Sequence, residues 1–336
     1  MTYYKVSQKT SFLSDLRHNS VTKGVSTGFT PLDAVMSLKK GYPLFVAGAP
    51  HSGKTELIIE MLLNTSVIHG WKHFVYLGEN GEIEEIIADL CFKYIGKPYK
   101  MTDYNPMTES ERVYAEMFID NHFVFLSDEK DLTLFQFYEI VEEAEKNLNI
   151  KFDTTLFDPF NDIIDESKEH GGTHHWLNVE LKKVRKVSKK NDRIDILINH
   201  VADVETTIDK ETKQPYIRAA LPNEWNGGRT WWRRGYLMIL IYRPPAWLKD
   251  LNGEPYGDNV SLVIVQKAKP KGVAKYGATG KLFWDWKINR YYWLDGYSER
   301  KFAFKVAEKQ EEIKLTPSKE IEDDLRSEER RVGKEC

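Results

Sequence analysis

Pro43-Leu44-Phe45-Val46-Ala47-Gly48-Ala49-Pro50-His51-Ser52-Gly53-Lys54-Thr55 decides the fold. Pro43 to Ala47 is a short apolar run leading into a glycine, the pattern of a buried strand. Thr55 to Thr65 carries apolar residues at helical spacing. Between them, Gly48 to Thr55 fits G-x-x-x-x-G-K-[ST] in the strand-to-helix context that motif requires. Glycines there let backbone N–H groups wrap phosphates, and the helix N-terminus adds a favourable dipole. Lys54 is expected to reach the β and γ phosphates, and the Thr55 hydroxyl to bind Mg²⁺. The expected nucleotide-binding residues are Gly48, Ala49, Pro50, His51, Ser52, Gly53, Lys54 and Thr55. ATP and Mg²⁺ are the expected cofactors. The competing reading, a glycine-rich turn with an exposed lysine, is weakened because chance matches between a strand and a helix are rare.

Outward from this loop the chain alternates. Phe74–Leu77, Phe123–Leu126, Thr155–Phe157 and Ile194–Ile198 read as strands. Ile83–Tyr94, Leu132–Leu148 and Trp176–Lys190 read as helices. Three consecutive strands follow a polar loop: Leu237–Tyr242, Val260–Val265 and Lys281–Trp286. Alternation followed by a run of strands predicts an α/β fold. Its central sheet is mostly parallel with helices on both faces, and an antiparallel extension forms the C-terminal side. Residues 1–20 are polar except for Phe12-Leu13-Ser14-Asp15-Leu16, enough for an arm or a linker helix. Residues 21–300 form the expected core domain and 301–325 a charged tail. The last eleven, Arg326 to Cys336, match the codon-by-codon translation of a common sequencing adapter. They are excluded as an expected artefact, in which case the true C-terminus, past Leu325, is missing; a charged disordered tail is the alternative.

Bulk properties narrow the setting. Of 336 residues, 41% are hydrophobic, enough for one large core or two small ones. No apolar run reaches the roughly 18 residues a membrane helix needs, so no membrane partner is expected. The segment after Met1 lacks an apolar signal core. Two cysteines, Cys91 and Cys336, make no disulfide framework and point to a reducing cytoplasm. A formal net charge of -3 implies no nucleic-acid partner globally, so any such contact needs a local basic patch.

Other positions are candidates by placement. Asp158 ends an apolar strand, where a carboxylate can hold Mg²⁺ through water or merely cap the next loop. Glu79 follows the second strand and can polarise a water; Glu82 competes, and both can serve as helix N-terminal acids. Arg229, Arg233 and Arg234 interleave with Trp231 and Trp232, a mix suited to phosphates and bases. The same composition suits a subunit interface. The basic helix Lys182, Lys183, Arg185, Lys186, Lys189, Lys190 reads first as a solvated face.

In order along the chain, several segments resemble DnaB-type hexameric replicative helicases, particularly the Twinkle-like and phage branches. They are Val25-Ser26-Thr27-Gly28-Phe29-Thr30-Pro31-Leu32-Asp33, the P-loop, Glu79, Leu156-Phe157-Asp158-Pro159, Gly227-Gly228-Arg229-Thr230-Trp231, Tyr242-Arg243-Pro244 and Val265-Gln266-Lys267-Ala268-Lys269 with Gly277 and Gly280. The resemblance covers about residues 21 to 295. It implies a RecA-like P-loop ATPase working as a 5′-to-3′ helicase on single-stranded DNA. It also implies a homo-oligomeric, hexameric ring with ATP sites shared between subunits, and primase or helicase-loader partners as separate chains. A bacterial cytoplasm, with a phage or mobile-element origin, is the implied setting. Glu79 takes the catalytic glutamate's place and His200 that of a γ-phosphate sensor, with Asn199 competing. Arg243 and Trp284 match positions that sandwich the base, although Trp284 reads equally as core packing beside Phe283 and Trp286. Lys267 and Lys269 fall where these helicases end their finger segment in arginine. Paired lysines are closer to RecA recombinases, which keeps open a filament-forming, single-strand-binding ATPase. A regulatory P-loop ATPase that does not translocate is a third alternative. An acidic residue common near Tyr236 in these helicases is absent here.

Overall fold

The computed structural model describes residues 5–19, 23–79, 81–168, 171–202, 204–269 and 271–305. The tail beyond Lys305, including the adapter-like stretch, lies outside them. In chain order the helices are α1 (Thr10–Asn19), α2 (Thr30–Asp33), α3 (Lys54–His69), α4 (Ile83–Ile95), α5 (Glu109–His122), α6 (Leu134–Asn147), α7 (Thr173–Asn191) and α8 (Arg229–Arg234). The strands are β1 (Leu44–Gly48), β2 (His73–Leu77), β3 (Phe123–Leu126), β4 (Thr154–Asp158), β5 (Ile194–His200), β6 (Thr206–Ile208), β7 (Pro215–Ile217), β8 (Leu237–Tyr242), β9 (Val260–Ala268), β10 (Thr279–Asp285), β11 (Arg290–Leu294) and β12 (Arg300–Lys301).

Ten strands form one sheet in the order β12-β11-β10-β9-β8-β1-β5-β4-β2-β3. The six from β3 to β8 run parallel, and β9 to β12 add antiparallel strands beyond β8. The expected α/β architecture with its antiparallel extension is therefore present. β6 and β7 pair apart as a hairpin.

The pleat divides the core. Leu44 and Val46 of β1 join one buried cluster with Leu57, Leu62 and Leu90 of α3 and α4. Phe45 and Ala47 point the other way, into a cluster with Phe137, Leu181 and Trp231 of α6, α7 and α8. Both faces of a parallel strand are covered this way, which is why β1 reads as a continuous apolar run. Period-two side chains on one strand thus hold helices on both sides of the sheet. The basic residues Lys182, Lys183, Lys186, Lys189 and Lys190 of α7 are exposed, a solvated face. Among the described residues, no helix is long and apolar enough to cross a membrane.

Several elements were not expected from the sequence, among them the short α2, α8 and β12. Helix α5 is announced only by its capping box: the Thr108 hydroxyl accepts from the Glu111 N–H, and the Glu111 carboxylate accepts from Thr108. Strand β11 belongs to an aromatic run whose alternation is masked because Tyr291 is buried inward while Tyr292 stacks on Phe283. The β6–β7 hairpin is short and mostly exposed.

Candidate active site

Parallel strands end at one edge of the sheet, where α/β folds place their ligands. Gly48, Leu77, Asp158 and His200 all reach that edge in β1, β2, β4 and β5, and Gly48 pairs directly with His200. The loop from Ala49 to Gly53 then turns into α3. Gly53 adopts φ 79°, and a Cβ there would lie 2.8 Å from the Tyr291 hydroxyl. A Cβ on Gly48 would lie 2.5 Å from the Ile241 carbonyl oxygen. Both glycines are needed for clearance, and Gly53 for its left-handed backbone as well. His51 also takes a positive φ, 59°, without being glycine.

At the start of α3 the Thr55 hydroxyl donates to Asp158 Oδ2 at 2.5 Å, joining residues 103 apart in sequence. Lys54 is buried and curls back so that its ammonium donates to the Ala49 carbonyl at 3.1 Å. Burial lowers its pKa, while Asp158 and Glu79 oppose that shift. Burial raises the Asp158 carboxyl to about 6, against the hydrogen bond from Thr55 and the charge of Lys54. Glu79 and Asp162 push it further up. A lysine and a carboxylate that burial shifts against ionisation, side by side at the end of a sheet, mark a candidate functional site. The Ser52 hydroxyl is buried without a hydrogen-bond partner among the described residues. Such an orphaned donor inside a phosphate-type loop, with Thr55 and Asp158 as adjacent oxygen donors, fits a magnesium–nucleotide group.

Glu79 lies in the turn after β2, with Oε2 3.5 Å from His200 Nε2. These two expected residues therefore meet over the end of β4. Asp162 joins them, although it was not singled out from the sequence. Its carboxylate occupies the space a side chain at Gly78 would need, and burial and Glu79 raise its pKa while His200 lowers it. Asn226 was also missed. Its N–H donates to the His200 carbonyl at 2.9 Å, and its own carbonyl accepts from Asn199 Nδ2 at 2.8 Å and Trp231 Nε1 at 2.7 Å. Asn199, the competitor of His200, thus holds this loop.

Arg243 lines a cavity of about 310 Å³ beside Ala49, Pro50, His51 and Ser52. Trp284 does not. Lys93 Nζ lies 4.5 Å from the centre of its ring, and Tyr291 meets it edge-on at 4.8 Å. The expected pairing of Arg243 with Trp284 is corrected accordingly: the indole packs against the α3–α4 side of the core.

Arg229, Arg233 and Arg234 line a second, open cavity of about 720 Å³ with His174, His175 and Asn178. Arg229 and Arg233 are exposed, while the half-buried Arg234 donates to Asn178. Trp231 is a correction. It is completely buried, edge-on to Phe45 at 5.0 Å and to Phe160 at 4.9 Å, with no face left for a base. One turn of helix must turn one of two neighbouring indoles inward, and Trp231 is that one. Lys267 and Lys269 lie elsewhere. Lys267 pairs with Met238 near the start of β8, and the Lys269 N–H donates to Tyr236. They sit at the sheet edge opposite the P-loop of their own chain.

The parallel sheet with its antiparallel extension and the P-loop at its carboxyl edge give the chain a RecA-like α/β fold. Comparison then narrows the likeness to DnaB-type, Twinkle-like helicases. No family model matches the chain. Over 171 residues, 49% of the chain, it is 28% identical to the Twinkle homolog protein, chloroplastic/mitochondrial, of Arabidopsis thaliana. The chain spans about a quarter of that relative, 24% of its length. A structure solved as an ATPase domain superposes with a TM-score of 0.67 at 14% identity, over 86% of this chain and 99% of that one. A DnaB-like replicative helicase, studied for its interactions with primase, gives a TM-score of 0.65 at 15% identity. That match covers 84% of this chain and 66% of the helicase.

Proposed function

We propose that this chain is the motor domain of an ATP-driven DNA helicase that forms a ring and moves 5′ to 3′ on single-stranded DNA. The observation that carries the reading is the Thr55–Asp158 contact at 2.5 Å at the mouth of the P-loop. It brings a magnesium-binding hydroxyl and carboxylate together beside Lys54. Thr55 and Asp158 would hold Mg²⁺, which when bound would neutralise phosphate charge. Gly48 to Gly53 cradle the phosphates with backbone N–H groups, and Lys54 turns its ammonium from Ala49 toward them. Glu79 orients the attacking water and accepts its proton. His200, 3.5 Å from Glu79, contacts the γ-phosphate side and senses its loss. Arg243 lines the side of the loop where the nucleoside extends.

Lys267 and Lys269 serve the site of a neighbouring copy, which their place at the opposite edge favours. Arg229, Arg233 and Arg234 hold the strand's phosphates in the basic cleft. A primase or a loader is a separate partner chain, and the setting is a bacterial cytoplasm, with a phage or mobile element as the source. The decisive experiment offers a forked duplex with either a 5′ or a 3′ tail. The expected result is ATP-dependent unwinding with the 5′ tail only. Hydrolysis without unwinding contradicts the helicase reading.

The paired lysines favour a second reading, a RecA-like single-strand-binding ATPase. Electron microscopy with ATP and single-stranded DNA separates the two, by closed rings against open filaments.

A further inference from the structure

The two lysines at the far edge are not loose side chains. Lys267 Nζ sits 4.8 Å from the centre of the Trp232 ring. Lys269 Nζ sits 5.1 Å from the centre of the Tyr236 ring. Lys267 of β9 thus meets Trp232 of α8, and Lys269, just past the end of β9, meets Tyr236, just before β8. Each ring is itself held. Tyr276, in the turn before β10, meets Trp232 edge-on at 6.3 Å. Tyr42 packs on Tyr236 at 5.7 Å, with Arg185 of α7 5.5 Å from the Tyr236 ring centre. Lys269 acts on Lys267 as a like charge, Arg185 shares the Tyr236 ring, and Lys39 lies over Tyr42. Neither lysine is ion-paired to a carboxylate among the described residues. An aromatic face attracts an ammonium without neutralising it, unlike a carboxylate.

We propose that Trp232 and Tyr236 are positioning residues, each seating one lysine so that the pair is presented as a fixed double charge to the triphosphate of a neighbouring copy. This rests on the shared-site reading given above. The seat answers a weakness of lysine in such a role: its flexible stem lacks the planar fork by which arginine fixes its own geometry. A ring beneath each ammonium restores the aim. Burial, and secondarily Lys269, lower Lys267 to about 8, so its charge is lost as pH rises through that value.

The test is single-strand-stimulated ATP turnover by the full chain, with kcat and KM measured across pH. Trp232→Leu is expected to lower kcat about tenfold, the equivalent of about 1.4 kcal/mol in the transition state, with KM for ATP nearly unchanged. Trp232→Phe keeps a ring and is expected to retain most of the rate. The wild-type rate should fall as pH rises through about 8, and Lys267→Arg should remove that fall. In Trp232→Leu, water reaches Lys267 and the fall moves to higher pH. Trp232→Leu at the wild-type rate while Lys267→Ala is impaired overturns this proposal alone. An unimpaired Lys267→Ala overturns the shared-site reading with it. Equal loss in the Phe and Leu variants, or an alkaline limb that Trp232→Leu leaves in place, assigns Trp232 to packing and also overturns the proposal.

Discussion

His200 Nε2 lies 3.5 Å from Glu79 Oε2, although β4 separates β5, which ends in His200, from β2, which Glu79 follows. The two side chains converge over the end of β4, where Asp158 stands. In the proposed reading, Glu79 is the base and His200 the sensor on the side of the P-loop where a terminal phosphate would face water. Glu79→Gln should therefore keep nucleotide affinity and lower turnover by about 10²–10⁴-fold, the usual range for a general base. Direct binding and single-turnover measurements check it. Wild-type turnover in the Gln variant would remove Glu79 from the chemistry.

Asp158 makes a prediction about stability. Its carboxyl is raised from 3.8 to about 6, chiefly by burial. The folded protein therefore holds this proton more tightly than the unfolded chain. The resulting stability is full below about pH 4 and is lost as pH rises through about 6. At neutral pH the buried charge opposes folding by about 3 kcal/mol. Asp158→Asn should then raise the thermal midpoint of the nucleotide-free protein at pH 7, with a smaller gain at pH 5, while impairing turnover. A lower midpoint at pH 7 would show that the Thr55 hydrogen bond outweighs the burial.

The fold was legible because the P-loop, the alternating elements and Asp158 carry local signals. Each depends on residue type at fixed spacing. The Arg/Trp cluster was legible only in composition. Six residues of α8 allow no periodicity to say which indole turns inward, and Phe45 and Phe160, distant in sequence, settle it for Trp231. Asn226 carries its role largely through backbone atoms, which leave no mark on residue identity. Trp284 matched a position rather than an environment. Lys93, from α4, occupies its ring and could not be placed beside it from spacing.

Buried Trp231 and exposed Arg233 should separate in their effects. Trp231→Ala should destabilise the protein by about 3–5 kcal/mol, the cost of emptying an aromatic core position. Denaturant unfolding measures this, and a shift below about 1 kcal/mol would contradict the packing described.

Arg229→Ala and Arg233→Ala should leave stability almost unchanged and weaken single-stranded DNA binding across sequences. Each should reduce the slope of log affinity against log salt by about 0.7, one phosphate contact on a single strand. Fluorescence anisotropy over a salt series reads that slope. Unaltered affinity and slope would assign the cleft to another partner.

The most direct measurement is ATP binding and turnover by Lys54→Ala, with and without single-stranded DNA. Lys54 is the buried cation of the loop, within the influence of Asp158 and Glu79. Turnover should disappear in both conditions while the protein remains folded. DNA-stimulated hydrolysis surviving in that variant would contradict the assignment of the loop as the phosphate site.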